Sequence, residues 1–307
     1  MKKNGFLYKV IKYRIFLLML LPAVLYTLIF AYVPMIGILL AFKKYSYAGG
    51  ILHSPWNGLN NFEFFFKSGQ AWLTTKNTVL YNLLFIAFNT VLQMSVAIFL
   101  VEMKSKFFRK VSQSLMFLPY FISWVIVSVI AFNMLSYDYG IVNLIIKKLG
   151  GTKINFYSTG SFWPFILTFF GAWKGVGYGS VMYLAAIMGI DTSIYEAASI
   201  DGANVFQRIF KITIPLMMPT VVILLLLSVG GIFRGNFDMF YNLVGGNNGV
   251  LFNSTDVIDT FTFRALISNN DFGMSSAVGF YQSILCFTTI IIVNKLVSKY
   301  NKDYSLF

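Results

Sequence analysis

Six stretches of this chain are apolar for about the length that crosses a bilayer, and polar or turn-rich segments separate them. A spanning helix takes about 20 mainly apolar residues. The runs cover roughly 15–42, 78–101, 115–135, 162–188, 214–232 and 277–297. The first is long enough to tilt or to project past the lipid, with Pro22 and Pro34 as expected bends. The segments 43–77, 136–161 and 233–276 are long and rich in Gly, Asn, Ser and aromatics. Such compositions form turns, with short interfacial helices expected among them. Segments of this size on one side of a membrane offer a docking surface for a partner.

One polar island between the fourth and fifth runs has a helical pattern of its own. Ser193 and Glu196 have the spacing of a capping box, and Ile194, Ala197, Ala198 and Ile200 form a small apolar face. Asp201-Gly202 breaks that helix, Gly being able to take the left-handed turn that ends helices. Asn204 and Gln207 begin a second helix, on which Val205/Ile209 and Phe206/Phe210 stack at i, i+4. Pro215 and Pro219 open the next apolar run, where a missing amide proton costs least. An island of this kind must stand out of the membrane and touch something.

Composition agrees with the hydropathy pattern. Of 307 residues, 57% are hydrophobic and 11% charged, where soluble domains carry about 25% charged residues. The net charge of +13 reads as loops facing anionic headgroups rather than as nucleic-acid binding. Basic side chains favour one side, 14 against 9, when the N-terminus is cytoplasmic. Lys174 completes the set, inside the fourth run. The basic N-terminus precedes a run much longer than the ~7–15 residues of a signal core, so that run is expected to be retained. A single cysteine, Cys286, excludes an intrachain disulfide, and a single histidine, His53, excludes a histidine-cluster metal site. No Walker-type phosphate loop occurs, so the chain is not expected to hydrolyse ATP.

Inside the runs, Asn89, Gln93, Asn133, Trp173, Lys174, Tyr178, Tyr183, Tyr281 and Gln282 are the groups able to line a solute pathway. Trp173, Lys174, Tyr178, Asn133 and Gln282 are the leading candidates, since aromatic faces, amides and charges are the groups that hold and orient a polar solute. Gly175-Val176-Gly177-Tyr178-Gly179 differs from a potassium-filter sequence only in its first residue. It lies within a continuous apolar run after a lysine, so close helix packing is the favoured reading over a filter. A secondary transporter would place acids inside its spans. All 11 acids lie away from the span centres here, Glu102 coming nearest. Arg234 and Asp238 are expected to form an outer-surface pair.

Glu196-Ala197-Ala198, Gly202 and Ile212-x-Ile214-Pro215, taken with their spacing, resemble the cytoplasmic coupling loop of ATP-binding-cassette (ABC) importer permeases. Ile214 replaces the family's usual leucine. The resemblance implies an all-α membrane protein of six transmembrane helices, with this coupling loop (189–213) between helices 4 and 5. Residues 1–75 would form the N-terminal cytoplasmic segment, first helix and first outer loop, and 76–307 the permease core. Glu196, Ala197, Ala198, Asp201, Gly202, Ala203, Phe206 and Pro215 would form the ATPase-coupling surface. The implied partners are a second permease subunit, two ABC ATPase subunits that use ATP-Mg, an extracytoplasmic solute-binding protein and membrane lipid. The chain itself would hold no cofactor. Its location would be the bacterial cytoplasmic membrane, with both termini inside. Tyr32-Val33-Pro34, Ser54-Pro55-Trp56 and Phe272-Gly273-Met274 resemble the maltose and multiple-sugar branch, which implies an oligosaccharide substrate. The alternatives are a permease for another solute, an ion channel or a secondary transporter.

Overall fold

The computed structural model describes residues 6–300. The expected cytoplasmic termini, with Lys2, Lys3 and Lys302, lie outside the described residues. Helix dominates, and the one β pairing among the described residues is a single bridge between Lys43 and Trp56.

The first apolar run is a composite helix. Helix α1 (Arg14–Thr27) contains Pro22, widens into a π turn at Leu28–Tyr32 and tightens into a 3-10 segment at Val33–Phe42 that has Pro34 in its first turn. The changes of pitch accommodate a backbone that lacks two amide protons. The whole of α1 stands clear of the rest of the chain, and only Leu40 and Ala41 at the end of the run are buried. There the Asn61 amide donates to the carbonyls of Leu40, Ala41 and Lys43 at 3.1, 3.0 and 2.8 Å, capping the segment.

Asn61 belongs to α2 (Asn60–Lys67), whose buried Phe65 packs on Phe261 and Tyr281. Helix α3 (Gln70–Glu102) is unbroken for 33 residues, reaching well past the apolar run 78–101 on its outer side. The third run departs from expectation. Instead of one straight span over 115–135, α4 (Lys106–Phe117) gives way to a 3-10 turn at Leu118–Phe121, and α5 (Trp124–Leu135) leaves at 95°. Pro119 has no amide proton to continue the helical ladder, and Ser123 caps a new helix by accepting from the Ile126 amide.

Helix α6 (Trp163–Met188) contains the Gly175–Gly179 run as ordinary helix, so those carbonyls do not form a filter. The glycines serve packing. A Cβ on Gly177 would lie 2.0 Å from the Met116 carbonyl oxygen, and one on Gly179 would lie 2.2 Å from the Gln93 amide. Helices α7 (Thr192–Ile200) and α8 (Val205–Arg208) form the polar island. A π turn at Ile209–Thr213 then leads without a break into α9 (Ile214–Gly230), which has Pro215 in its first turn and Pro219 within it. The second half of the island is therefore the inner end of the fifth apolar run.

Beyond α9 lie α10 (Phe237–Val244) and α11 (Ile258–Ile267), and α12 (Phe272–Tyr300) is the last described helix. Arg234 and Asp238 do not pair: ion pairs among the described residues join Lys67–Glu63, Arg208–Glu102 and Arg264–Asp256. Asn236 caps α10 between them and turns Asp238 away. Arg234 instead neighbours Asp259, whose carboxyl accepts from the Gly235 amide at 2.5 Å and from Gln282 at 3.0 Å. Burial raises the Asp259 pKa, and those hydrogen bonds and Arg234 offset part of the rise.

Four described segments are long and apolar enough to cross a membrane: Arg14–Phe42, Gln70–Glu102, Val205–Gly230 and Phe272–Lys299. The bent pair α4–α5 makes a fifth if it counts as one broken span. Helix α6 has the length, but Lys174 and its glycines and aromatics dilute its hydropathy. Three apolar clusters hold the elements together. One joins α3, α5, α6 and α10 around Trp163, Tyr81 and Phe240. A second joins α2, α11 and α12 around Phe65 and Phe261, and a third joins α3, α6 and α9 around Leu100, Tyr183 and Met217.

Candidate coupling loop and translocation groove

The island starts two residues earlier than the Ser193–Glu196 spacing suggests. Asp191 is the cap, its carboxylate accepting from the Ser193 amide at 2.9 Å. Hydrogen bonds from the Ser193 backbone and side chain hold the Asp191 carboxyl below its ordinary range. Glu196 is thus an exposed residue of the helix body beside exposed Ala197, with Ala198 and Ala203 half-buried.

Helix α7 ends as its sequence requires. Gly202 has φ +79°, the Gly202 amide donates to the Ser199 carbonyl at 3.2 Å, and the Ala203 amide donates to Ala198 at 2.9 Å. This is the paired bonding of a Schellman turn. A Cβ on Gly202 would meet nothing within 4 Å, so the backbone conformation, and not crowding, selects glycine. Helix α8 starts with the reciprocal box: the Gln207 amide donates to Asn204 Oδ1 at 2.9 Å, and the Asn204 amide donates to Gln207 Oε1 at 2.8 Å. Two side-chain bonds clasp the halves together. Tyr195 meets Thr213, hydroxyl to hydroxyl, at 3.0 Å, and Arg208 donates to Ser199 Oγ at 2.8 Å.

The clasped loop presents apolar side chains outward. Ile200 is 87% and Phe206 72% exposed, with Ile194, Val205 and Phe210 also exposed. On a segment otherwise rich in polar groups, such a strip is the kind of exposed apolar patch that characterises interaction surfaces. Asp201 is exposed at the tip, and Pro215 is exposed where the loop enters α9.

A groove of about 520 Å³ opens between α3, α6 and α9, lined by Asn82, Asn89, Gln93, Tyr178, Tyr183 and Ser228 together with apolar neighbours. Asn82, Asn89 and Gln93 stand seven and four residues apart on α3, which places them along one helical stripe. Asn89 Oδ1 is buried and has no hydrogen-bond partner among the described residues. A buried unpaired acceptor costs about 1–3 kcal/mol, and Asn89 carries it on the groove wall.

Lys174 lines a separate cavity of about 540 Å³ with Tyr120, Trp124, Asp238 and Asn242. Its amine donates to the Tyr120 carbonyl at 2.6 Å and the Pro119 carbonyl at 3.4 Å, and it lies 5.3 and 5.5 Å from the ring centres of Tyr120 and Trp124. At the break in the third run the lysine shares the Pro119 carbonyl with the Ile122 amide, which donates to it at 3.2 Å, and takes the Tyr120 carbonyl as its nearer partner. Tyr120 also stacks on Tyr178 at 4.3 Å, so one aromatic pair separates cavity from groove.

The remaining candidates lie elsewhere. Trp173 packs against the outer core beside Phe170, Asn133 donates to its own helix at Val129, and Gln282 is held by the Phe233 carbonyl and Asp259. Neither Asn82 nor Tyr120 figured among the sequence candidates. The stripe that Asn82 shares with Asn89 and Gln93 could have revealed the first. Tyr120 depends on the break, which only the fold displays.

Residues 93–302 match the family model described as "Binding-protein-dependent transport system inner membrane component". The polygalacturonan/rhamnogalacturonan transport system permease protein YteP of Bacillus subtilis is 33% identical over 98% of this chain and 93% of its own length. The trehalose/maltose transport system permease protein MalF of Thermococcus litoralis is 28% identical over 93% of this chain and 94% of its own. Among solved structures, a chain of a bacterial ABC transporter involved in import of the acidic polysaccharide alginate superposes with a TM-score of 0.86 at 30% identity. That match covers 95% of this chain and 98% of the other. The helical fold, the apolar segments and the matched core together place this chain in the family of binding-protein-dependent transport system inner membrane components, as a membrane permease of the ABC transport type.

Proposed function

We propose that this chain forms one half of the translocation pathway of an ATP-driven importer of oligosaccharides, and that residues 189–213 take up motion from a separate ATPase subunit. The observation that carries the coupling role is the exposed apolar strip on a loop whose two helices are both capped and clasped. A rigid surface of this kind can be pushed as a unit. Glu196, Ala197, Ala198, Asp201, Gly202, Ala203 and Phe206 would form the contact, and Pro215 the entry into α9. ATP-Mg would be bound and used by two ATPase partners, not by this chain.

The proposed span set is Arg14–Phe42, α3, the broken pair α4–α5, α6, Val205–Gly230 and α12, six in all with both termini cytoplasmic. A homologous permease or a second copy would supply the facing wall of the groove, and an extracytoplasmic solute-binding protein would deliver substrate to the outer segments. Nucleotide-driven motion would shift the populations of inward- and outward-open states. An oligosaccharide fits the groove because amides, hydroxyls and tyrosine faces alternate along it, the chemistry that holds sugar hydroxyls and C–H faces. Relatives named for polygalacturonan, trehalose/maltose and sulfoquinovosyl glycerol transport support this substrate class. Lys174, in the neighbouring cavity, would contribute a charged donor to sugar hydroxyls or to an acidic sugar.

The test is uptake of labelled neutral and acidic oligosaccharides by cells with and without the chain, each with the parental sequence and with Gly202→Asp. Uptake of at least one oligosaccharide should require the chain and be lost in Gly202→Asp while membrane insertion persists. Normal uptake in that variant would overturn the coupling role. Uptake of no oligosaccharide, with another solute dependent on the chain, would overturn the substrate class.

A further inference from the structure

One guanidinium gives the polar island an ion pair with the long helix α3, beside the apolar packing of Ile190 in the Leu100 cluster. Arg208 Nη2 lies 3.8 Å from Glu102 Oε2, with side chains 24% and 31% exposed, while Nη1 donates to Ser199 Oγ at 2.8 Å. Arg208 therefore touches both halves of the island and the last residue of α3 at once. No other ion pair among the described residues joins the island to the rest of the chain. The inner end of α3 is itself held from the far side. Arg109 of α4 donates to the Val101 and Met103 carbonyls at 3.0 and 2.9 Å, closing the end of the helix around Glu102. The Nε atoms of both arginines are buried without hydrogen-bond partners, so neither guanidinium is a freely solvated surface group.

Helix α3 carries Asn82, Asn89 and Gln93 into the groove. A push on the island that moves Arg208 acts on Glu102 and so along the axis of the groove-lining helix. A helix is stiff along its axis, and Gln70–Glu102 is unbroken. We infer that Arg208 and Glu102 form a strut that conveys movement of the island to α3, making both positioning residues for transport. The inference rests on the coupling role proposed above. The charge pair, and not the bulk of either side chain, is the transmitting element, because the island has no other ionic hold on α3.

The experiment measures uptake, together with ATP hydrolysed per solute imported, in the complete transport complex carrying Glu102→Arg, Arg208→Glu or both. Gly202→Asp runs alongside as the test of the underlying reading. Couplings between sites commonly span about 5- to 150-fold, and each single reversal should cut uptake about tenfold while raising the ATP used per solute. The double reversal restores the opposite charges and should return uptake to within about threefold of the parent, by the logic of a double-mutant cycle. Co-purification of the ATPase should be unchanged in all three. Parental uptake in both single variants, or no recovery in the double variant, would overturn the strut. If Gly202→Asp also transports normally, the coupling role itself fails; if only the strut variants do, the role stands without this route.

Discussion

The two sides of the molecule are held by different means. The polar island owes its shape to neighbours in sequence: Asp191 with Ser193, Gly202 with Ser199, Asn204 with Gln207. It buries only Thr213 and leaves large apolar side chains in the open. The cap built on 251–264 is tied by residues far apart in the chain. Asn77 donates to the Asp256 carbonyl at 3.0 Å, the Ile258 amide donates to Thr78 at 3.0 Å, and Tyr81 donates to the Ser254 carbonyl at 2.8 Å. Arg264 grips Asp256 with both nitrogens beneath the ring of Phe252. A locally determined, exposed segment would keep its form during the movement proposed for it. A cap locked to the core supplies the fixed frame.

Breaking the frame should have the largest effect. Asp256 is 1% exposed, and removing one partner of a buried pair costs about 3–5 kcal/mol. Asp256→Ala should therefore lower the unfolding midpoint in detergent steeply and reduce the amount of protein in the membrane. The paired change Asp256→Leu with Arg264→Met should recover much of that loss, since it leaves no unpaired charge. Equal losses in the single and paired variants would show that geometry, and not the stranded charge, sets the cost.

Next comes the contact between α6 and α4. Overpacking typically costs about 1–3 kcal/mol. Gly177→Ala, whose Cβ meets the Met116 backbone, should destabilise by about that amount, while Gly175→Ala, with nothing within 4 Å, should not destabilise and should gain up to about 1 kcal/mol of helix propensity in the same thermal assay. Matching values for the two would contradict the close approach at the broken span.

The island itself should respond in transport and not in stability. Gly202→Asp should leave the unfolding midpoint within a degree or two, given an exposed site and a turn cost of roughly 1–2 kcal/mol at most, and yet abolish uptake. Lys174→Met removes the charge and both carbonyl contacts. It should slow uptake severalfold, without loss of expression or of basal ATP hydrolysis by the complex; a parental rate would reduce Lys174 to a brace for the break. The smallest change is expected from Glu196→Ala, which removes one exposed carboxylate and no cap. Uptake assayed beside Gly202→Asp ranks the two, and a greater loss in Glu196→Ala would reverse the order.

The chain by itself determined whatever depends on neighbours within a turn or two. The apolar runs, the left-handed hinge at Gly202 and the start at Asn204 follow from hydropathy and from φ preferences that act over a few residues. The same locality explains a near miss. Ser193 and Asp191 both suit a helix start, and only the assembled backbone shows which one meets a free amide. Tertiary structure decided the rest. The third run breaks at Pro119, which has no amide proton, and only the fold brings Lys174, 55 residues on, to the Pro119 and Tyr120 carbonyls. Arg234 turns to Asp259 and not to Asp238 because Asn236 starts a helix between the first and the last of these three. Trp173 and Gln282 carry the right chemistry for a pathway but are spent on packing and on Asp259, whereas Asn82 and Tyr120 reach cavities through helices that meet only in the fold. Hydropathy is a property of segments and can be read along the chain. Which polar group faces a groove depends on the rotation of one helix against another, and that is set by packing between residues far apart in sequence.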